Sequence, residues 1–291
     1  MAGLLAPFRI TSGRRFRLHD HDPRGTSGIG SKEKAADQLA KGLDSLRKQQ
    51  EKLYAQGTWA VLLIFQAMDA AGKDSTIKHV MSGVNPQGCD VSSFKAPSTL
   101  ERAHDFLWRT TLRLPERGHI GVFNRSYYEE VLVVRVHPEI LGGQRLPPAV
   151  VSGRIWKERF EDIVSYERHL HRSGVVVLKF FLNVSKQEQK KRFLERLDTP
   201  SKNWKFSTGD VKERARWRDY MAAYEDMIRH TATAHAPWYV VPADHKWFTR
   251  LVVAEAIVDA MKRLDLRFPT IDAAQRKELA AAEAALRRKG A

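Results

Sequence analysis

The sequence predicts an α/β fold in which helices cover both faces of a doubly wound, parallel sheet. Short apolar runs alternate along the chain with longer segments of helical periodicity, which is typical of successive strand–helix units. Polar residues follow closely where the first and the third predicted strands end, at 69–75 and 124–130. Ligands in such sheets bind at the carboxyl ends of the strands. A chain of 291 residues can form one such domain with an inserted lid.

The first half of the chain begins with an irregular arm at residues 1–31, which is rich in glycine and serine. Ser31 is the predicted N-cap of a helix from Lys32 to about Tyr54, whose leucines recur on one face. The continuous apolar run at 59–65 is typical of a strand buried on both faces. The elements predicted next are a helix at 76–81, a strand at 89–94, a helix at 100–114, a strand at 119–123, and a helix from 126 that carries 131–136.

The second half continues the alternation after the break at Pro147-Pro148. Its predicted elements are a helix at 151–172, a strand at 175–182, helices at 186–198 and 210–234, a strand at 238–241 and a helix at 247–264. A last helix at 271–289 has few apolar positions, so we expect it to be peripheral or an oligomer contact. The organisation predicted is an arm at 1–31, a catalytic domain at 32–265 with a helical lid at about 185–218, and a tail at 266–291.

The most informative motif follows the first strand, where small residues and Gly72-Lys73 precede a helix. The first turn of such a helix presents free N–H groups, and the positive end of the helix dipole adds to their attraction for an anion. Lys73 adds a point charge, so the motif predicts phosphate binding. Asp69 puts a carboxylate inside the loop, which implies that a Mg²⁺ ion lies between it and the phosphates.

This motif departs from the phosphate-loop pattern G-x4-G-K-[ST]. Ala67 occupies the place of the first glycine, Asp74 follows the lysine, and Ser75 and Thr76 come one and two places later. An ordinary strand-to-helix turn, with Gly72 for close packing, is the alternative.

A second polar group follows the third predicted strand. Arg125 can bind a phosphate with its bidentate fork, or it can form a surface ion pair with Glu129 at helical spacing. Asn124 is neutral and a weaker metal ligand than the Asp usual at such a position. Glu129 and Glu130 are either metal partners or charges at the start of a helix.

The net charge of +15 calls for an anionic partner, such as nucleic acid, an anionic membrane or polyphosphate. From Lys186 to Arg218, eleven Lys and Arg stand against five Asp and Glu, a net charge of +6 in 33 residues. Aromatic residues within this stretch argue against a merely solvated helix face. The single cysteine, Cys89, fits a reducing compartment, which favours the cytoplasm. No apolar run approaches the ~20 residues of a membrane span, so no membrane association is expected.

Taken together, these motifs resemble the type 2 polyphosphate kinase family, over roughly residues 21–265. The matching segments, in order, are 67–89 around the loop, 94–97, 104–109, 124–132, and a lid pattern at 179–182, 185–186, 192–193, 196, 202, 204–205 and 210. The resemblance implies a P-loop kinase-like three-layer α/β/α sandwich with a parallel sheet and a helical basic lid. It also implies Mg²⁺-dependent transfer of phosphoryl groups between inorganic polyphosphate and the nucleotides AMP, ADP and ATP.

The resemblance also implies roles for particular residues. Asp69, Lys73, Asn124 and Arg125 are the expected catalytic residues, and Asp69 with Glu129 is the expected metal site. The expected phosphate and polyphosphate ligands are Ala71, Gly72, Lys73, Asp74, Ser75 and Thr76 in the loop and Lys186, Arg192, Arg196, Lys202 and Lys205 in the lid. Phe94, Lys95 and Pro97, with Arg125, are expected to border the nucleotide.

One departure from the family pattern bears on the acceptor. Many members read Asp-Arg-Ser where this chain has Asn124-Arg125-Ser126, and the Asn form resembles the subgroup that phosphorylates both AMP and ADP. A homo-oligomer, dimer or tetramer, is expected. The alternatives are a nucleoside triphosphate-dependent small-molecule kinase on the same fold and, from charge alone, a nucleic-acid-binding protein. The last would need a groove-reading motif or a stacking platform, and the sequence contains neither.

Overall fold

A computed structural model describes residues 2–288, apart from the side chains of Ala2, Lys205 and Arg288. Its sheet consists of β1 (Arg9–Ile10), β2 (Ala60–Gln66), β3 (Cys89–Ser93), β4 (Ile120–Asn124), β5 (Val175–Asn183) and β6 (Trp238–Pro242). The strand order is β1-β6-β5-β2-β4-β3. Strands β2 to β6 are parallel and β1 is antiparallel to β6. The predicted α/β class is confirmed, and the bounds of the five predicted strands differ from the observed ones by one residue at most.

Helices cover the sheet on both sides. They are α1 (Ala2–Leu5), α2 (Lys32–Gln56), α3 (Lys73–Val80), α4 (Thr99–Arg102), α5 (Trp108–Thr111), α6 (Val133–Val136), α7 (Glu139–Gly142), α8 (Ile155–Arg172), α9 (Lys186–Leu197), α10 (Thr208–Ala215), α11 (Trp217–Thr231), α12 (Lys246–Lys262) and α13 (Ala273–Arg288). Helix α12 packs against α2 and α3, and α11 packs against α8. The crossovers through α3 and α8 run in opposite directions along the sheet, so right-handed connections place these helices on opposite faces.

The N-terminal arm is more ordered than its composition suggests. It supplies β1, in which Arg9 pairs with Tyr239 of β6. Phe8, Phe16 and Leu18 are buried in the core. The glycines and serines that predicted irregular structure are concentrated after Leu18, and the apolar residues before them cover the edge of β6.

Three predicted helices are each divided into two elements. The expected helix at 100–114 consists of α4 and α5, because the Asp105 carboxylate accepts a hydrogen bond from the Leu107 N–H at 2.9 Å and stabilises a turn between them. The expected helix at 210–234 breaks at Arg216, whose guanidinium donates to the Val136 carbonyl at 3.1 Å. Similarly, the segment after Ser126 is a 3₁₀ turn, Tyr127–Val131, before α6 begins.

The C-terminal helix α13 stands apart from the core. All its described side chains from 274 to 287 are exposed, including Leu279 and Leu286. Residue 289, the last of the expected helix 271–289, lies outside the described residues. Among residues 2–288, no helix has the length and apolar character that a bilayer span requires.

Candidate functional site

The loop between β2 and α3 forms the centre of the site. Gly72 is the N-cap of α3 with φ +104°, and Ala70 has φ +61°, a left-handed conformation that is strained for a residue with a Cβ. Among the side chains that the structure describes, none caps this helix. Within the described residues, the N–H groups of Lys73, Asp74 and Ser75 have no hydrogen-bond acceptor outside α3, as expected for the first turn. These N–H groups are therefore available to an anion.

Lys73 lies at the base of this loop, with only 9% of the residue exposed. Its Nζ donates to the Ala67 carbonyl at 2.7 Å. Burial, with Arg125 as the second cause, lowers the pKa of Lys73, while the carboxylates of Asp69 and Glu129 oppose that shift. A bound phosphate would stabilise the charged form of Lys73, which burial disfavours.

Arg125 brings the end of β4 to the loop. Strands β2 and β4 are adjacent, and the Arg125 N–H donates to the Phe65 carbonyl at 3.0 Å, with Arg125 at φ +65°. Its Nη2 lies 3.1 Å from Asp69 Oδ1, and its Nη1 lies 3.3 Å from Glu129 Oε2. The charge of Glu129, followed by that of Asp69, keeps the pKa of Arg125 above its usual value against the effect of burial. The ion pair with Glu129 is thus present, and it lies inside the site.

Gln66 is a site residue that the sequence analysis missed. With its buried amide turned so that both ends are satisfied, it donates to Glu129 Oε1 at 2.7 Å and accepts from Ser126 Oγ at 3.1 Å. Burial raises the pKa of Glu129, and Arg125 and Lys73 oppose that rise. The signal in the sequence was a polar residue ending an otherwise apolar strand.

Glu130 faces away from the loop, unlike its neighbour Glu129. It is 6% exposed, and Arg159 Nη1 lies 3.0 Å from its Oε2. The two glutamates that the sequence could not separate therefore have different surroundings: Glu129 contacts Arg125, and Glu130 pairs with α8.

Asn124 links the two strand ends directly. Its Nδ2 donates to Asp74 Oδ1 at 2.7 Å. An Asp at position 124 would place two carboxylates at this distance, which is unfavourable unless a cation lies between them. The Asn therefore allows Asp74 to be fixed without a metal.

The lid helix α9 supports the loop through Arg192, which is 4% exposed. All five of its N–H donors are engaged. Nη1 donates to the carbonyls of Ala70 (3.1 Å) and Ala71 (2.8 Å), Nη2 to those of Ala243 (2.6 Å) and Asp244 (3.1 Å), and Nε to Glu188 (2.8 Å). Gln189, one turn earlier, donates to the Asp69 carbonyl at 3.0 Å. The sequence predicts Arg192 as a polyphosphate ligand, whereas the structure places it behind the loop and off the surface.

The other predicted lid residues lie nearer to solvent. Lys186 and Lys202 are exposed. Arg196 is half-buried, with its Nη1 3.5 Å from Asp210 Oδ2. Burial raises the pKa of Asp210, and the negative charge of Asp69 adds to this rise. The predicted role of Lys205 concerns a side chain outside the described part.

The predicted nucleotide-binding residues are close together in sequence but differ in exposure. Phe94 is buried, and the Arg109 guanidinium lies 5.5 Å from its ring centre. Lys95 is exposed, and its carbonyl accepts from Arg109 at 2.8 Å. Pro97 lines a cavity of about 110 Å³ together with Arg109 and Glu130. Arg109, which the sequence analysis gave no role, connects these residues.

Comparisons with known proteins agree on one family. The family model described as "Polyphosphate kinase 2" matches residues 30–269. An ADP-polyphosphate phosphotransferase from Rhodopseudomonas palustris is 51% identical over 94% of this chain and 94% of its own length. An AMP/ADP-polyphosphate phosphotransferase from Meiothermus ruber is 43% identical over 93% of this chain and 97% of its own. The crystal structure of polyphosphate kinase 2 from Arthrobacter aurescens superposes with a TM-score of 0.84 at 40% identity, covering 94% of this chain and 98% of that one.

Proposed function

The chain belongs to the polyphosphate kinase 2 family, and from this we propose that it transfers phosphoryl groups from inorganic polyphosphate to AMP and ADP, giving ADP and ATP. The observation that carries the proposal is the meeting of three groups at the carboxyl ends of β2 and β4. They are a loop with unpaired N–H groups, a buried lysine, and the Asp69–Arg125–Glu129 cluster.

Lys73 and the loop would hold the reacting phosphates. Phosphoryl transfer requires positioning and charge neutralisation more than covalent help from the protein. The Lys73 ammonium would leave the Ala67 carbonyl for a phosphoryl oxygen, and the N–H groups of Lys73, Asp74 and Ser75 would bind the same oxygens. Both contacts strengthen as negative charge develops, which favours the transition state.

Arg125 would exchange partners when substrates bind. Its two ion pairs, at 3.1 and 3.3 Å, hold the guanidinium at the mouth of the loop, where 40% of the side chain is exposed. A phosphoryl group can replace one carboxylate in the bidentate fork. The guanidinium would then neutralise charge on the transferring group, while Glu129 keeps it oriented.

The residues of the site fit a Mg²⁺ ion. Among the described residues, no three His, Cys, Asp or Glu side chains form a protein-only metal cage. Mg²⁺ commonly takes one or two carboxylates and completes its shell with waters and substrate phosphates. Asp69, with 28% of its side chain exposed, and Glu129 would hold it beside the loop. When bound, Mg²⁺ supplies positive charge to the phosphoryl oxygens.

The lid would provide the path of the polyanionic donor. Lys186 and Lys202 present ammonium groups to solvent on a stretch of net charge +6. A nucleoside triphosphate donor would need far fewer cations. We assign Arg192 a supporting role. The C=O and N–H of a trans peptide point in opposite directions. The bonds from Arg192 to the Ala70 and Ala71 carbonyls therefore direct the N–H groups of Ala71 and Gly72 away from Arg192.

The donor distinguishes this function from a nucleoside triphosphate-dependent kinase. Purified protein with Mg²⁺ and AMP is incubated either with polyphosphate alone or with GTP alone, and the nucleotides are separated by chromatography. We expect ADP and then ATP with polyphosphate, and little product with GTP. Transfer from GTP with none from polyphosphate would contradict the proposal. Formation of ATP only from added ADP would restrict it to one acceptor.

A further inference from the structure

A second pocket lies between α2 and α12, and shares none of its lining residues with the candidate site. Its volume is about 410 Å³, which is in the range of small-molecule sites. Helix α1 and the turn at 27–29 close its ends. The proposed reaction makes no use of it.

The floor of this groove carries a buried carboxylate. Glu255 of α12 is 7% exposed, and it has no hydrogen bond or ion pair with any residue that the structure describes. Burial raises the pKa of Glu255, although Lys262 opposes the shift. A largely buried acceptor that lacks a donor among the described residues is destabilising, and a ligand that donates to it would reduce that cost.

Helix α2 leaves room for this carboxylate. Gly42 lies in the interior of α2, where glycine is destabilising relative to alanine. A Cβ on Gly42 would lie 3.2 Å from Glu255 Oε1, which is closer than an ordinary contact. The helix therefore has glycine, its least favourable residue apart from proline, at the point that faces Glu255.

The walls and the mouth of the groove differ in character. Leu4, Ile29 and Val258 line the walls, and Lys41 and Lys262 are exposed at the mouth. The groove thus combines a hydrogen-bond acceptor at the floor, an apolar middle, and two cations at the entrance. A fatty anion would bring a methyl end to Glu255, and a simple organic amine would be repelled by the lysines.

We infer that this groove is a second nucleotide site, which binds a nucleoside phosphate whose base carries an exocyclic amino group. The amino group donates to Glu255, the base lies against Leu4, Ile29 and Val258, and the phosphate binds Lys41 and Lys262. This site goes beyond the proposed acceptor site beside Phe94, Lys95, Pro97 and Arg125, because the two have no residue in common.

Hydrogen–deuterium exchange on the full chain tests this inference, with AMP as the probe and polyphosphate omitted. We expect AMP to protect peptides covering 38–45 and 255–262. IMP lacks the amino group and adenosine lacks the phosphate, so each should need at least a tenfold higher concentration for half-maximal protection. Equal protection by AMP and IMP, or no protection there by saturating AMP, would overturn the inference. Protection of the groove without protection of 94–97 and 124–129, where the proposed function places the nucleotide, would count against the proposed function and leave this site standing.

Variants separate binding from folding. Glu255→Gln and Lys41→Ala should each raise the AMP concentration for half-maximal groove protection about tenfold, without changing protection at 94–97 and 124–129. Lys48→Ala is the matched control, since Lys48 is exposed on the same helix and does not line the groove. Glu255→Gln should melt no lower than the wild type, because it removes a largely buried charge that has no ion pair among the described residues. A large loss of stability, or unchanged AMP binding by Glu255→Gln, would refute the assignment.

Discussion

Replacing Arg192 by lysine tests whether this residue supports the loop or binds the donor. Lysine keeps the charge but offers three donors where arginine offers five, and it lacks the planar fork. At least two of the five hydrogen bonds, all between 2.6 and 3.1 Å, must therefore be lost. At about 1.5 kcal/mol for each bond to a charged group, the free energy of unfolding should fall by about 3 kcal/mol. The loop carbonyls at 70 and 71 would lose their fixed direction.

The expected kinetic result is a fall in kcat with little change in polyphosphate affinity. If about half of that energy is expressed in the transition state, kcat falls about tenfold, since each 1.36 kcal/mol is a factor of ten. The KM for polyphosphate and its slope against log salt should stay near the wild-type values, because the Arg192 guanidinium is buried and already bonded to five protein acceptors. Lys190→Ala, on the exposed side of the same helix, is the control for charge.

The opposite result would refute this reasoning. If Arg192→Lys leaves kcat unchanged but weakens polyphosphate binding, and Arg192→Ala reduces the salt slope by about one, then Arg192 binds the donor directly. Arg192 would in that case leave its five partners when polyphosphate arrives.

Three further predictions concern the acceptor, the lid and pH. Asn124→Asp places a carboxylate where Asn124 Nδ2 now donates to Asp74 at 2.7 Å. The ratio of AMP to ADP turnover should therefore change more than the stability does, and it should depend more on Mg²⁺. Equal ratios in variant and wild type across a Mg²⁺ series would show that Asn124 has no part in acceptor choice. The affinity for polyphosphate should fall much more steeply with NaCl than the affinity for AMP, and Lys202→Ala should reduce the dependence of polyphosphate affinity on salt. If Lys202→Ala changes neither quantity, Lys202 lies on a solvated face, where exposed charges are worth ~0–1 kcal/mol. Burial raises the pKa of Glu129, so its charge is present above that pKa and lost below it. We therefore expect kcat/KM to decline as the pH falls through a value above the pKa of free glutamate. Glu129→Gln should abolish this decline at acid pH, and an unchanged decline would show that another group causes it.

The sequence could predict the parts of the fold that depend on local patterns. The apolar runs located β2, β4, β5 and β6 to within one residue, because strands buried on both faces are continuous in sequence. The approach of Asn124 to Asp74 and of Arg125 to Asp69 followed from the rule that parallel strands end at one edge of the sheet.

The remaining features depend on tertiary contacts that no local pattern records. Helical spacing placed Arg192 and Arg196 one turn apart, which suggested a common charged face. Burial separates them: Arg192 is 4% exposed and contacts main-chain carbonyls, whereas Arg196 is half-buried beside Asp210. In the same way, composition could not show that the arm would add β1 to the edge of β6, since this depends on a strand more than 200 residues away.

The central claim is that the loop ending in Lys73 binds the phosphates that polyphosphate donates to a nucleotide. The most direct measurement compares wild type and Lys73→Ala for ADP formation from AMP, polyphosphate and Mg²⁺ without any nucleoside triphosphate, with thermal unfolding of both proteins as the check on folding. We predict that Lys73→Ala loses at least a hundredfold in kcat, corresponding to about 3 kcal/mol of transition-state stabilisation. It should melt at or above the wild-type temperature, because burial disfavours the charged lysine. A folded Lys73→Ala variant with near wild-type turnover would contradict the assignment of the loop.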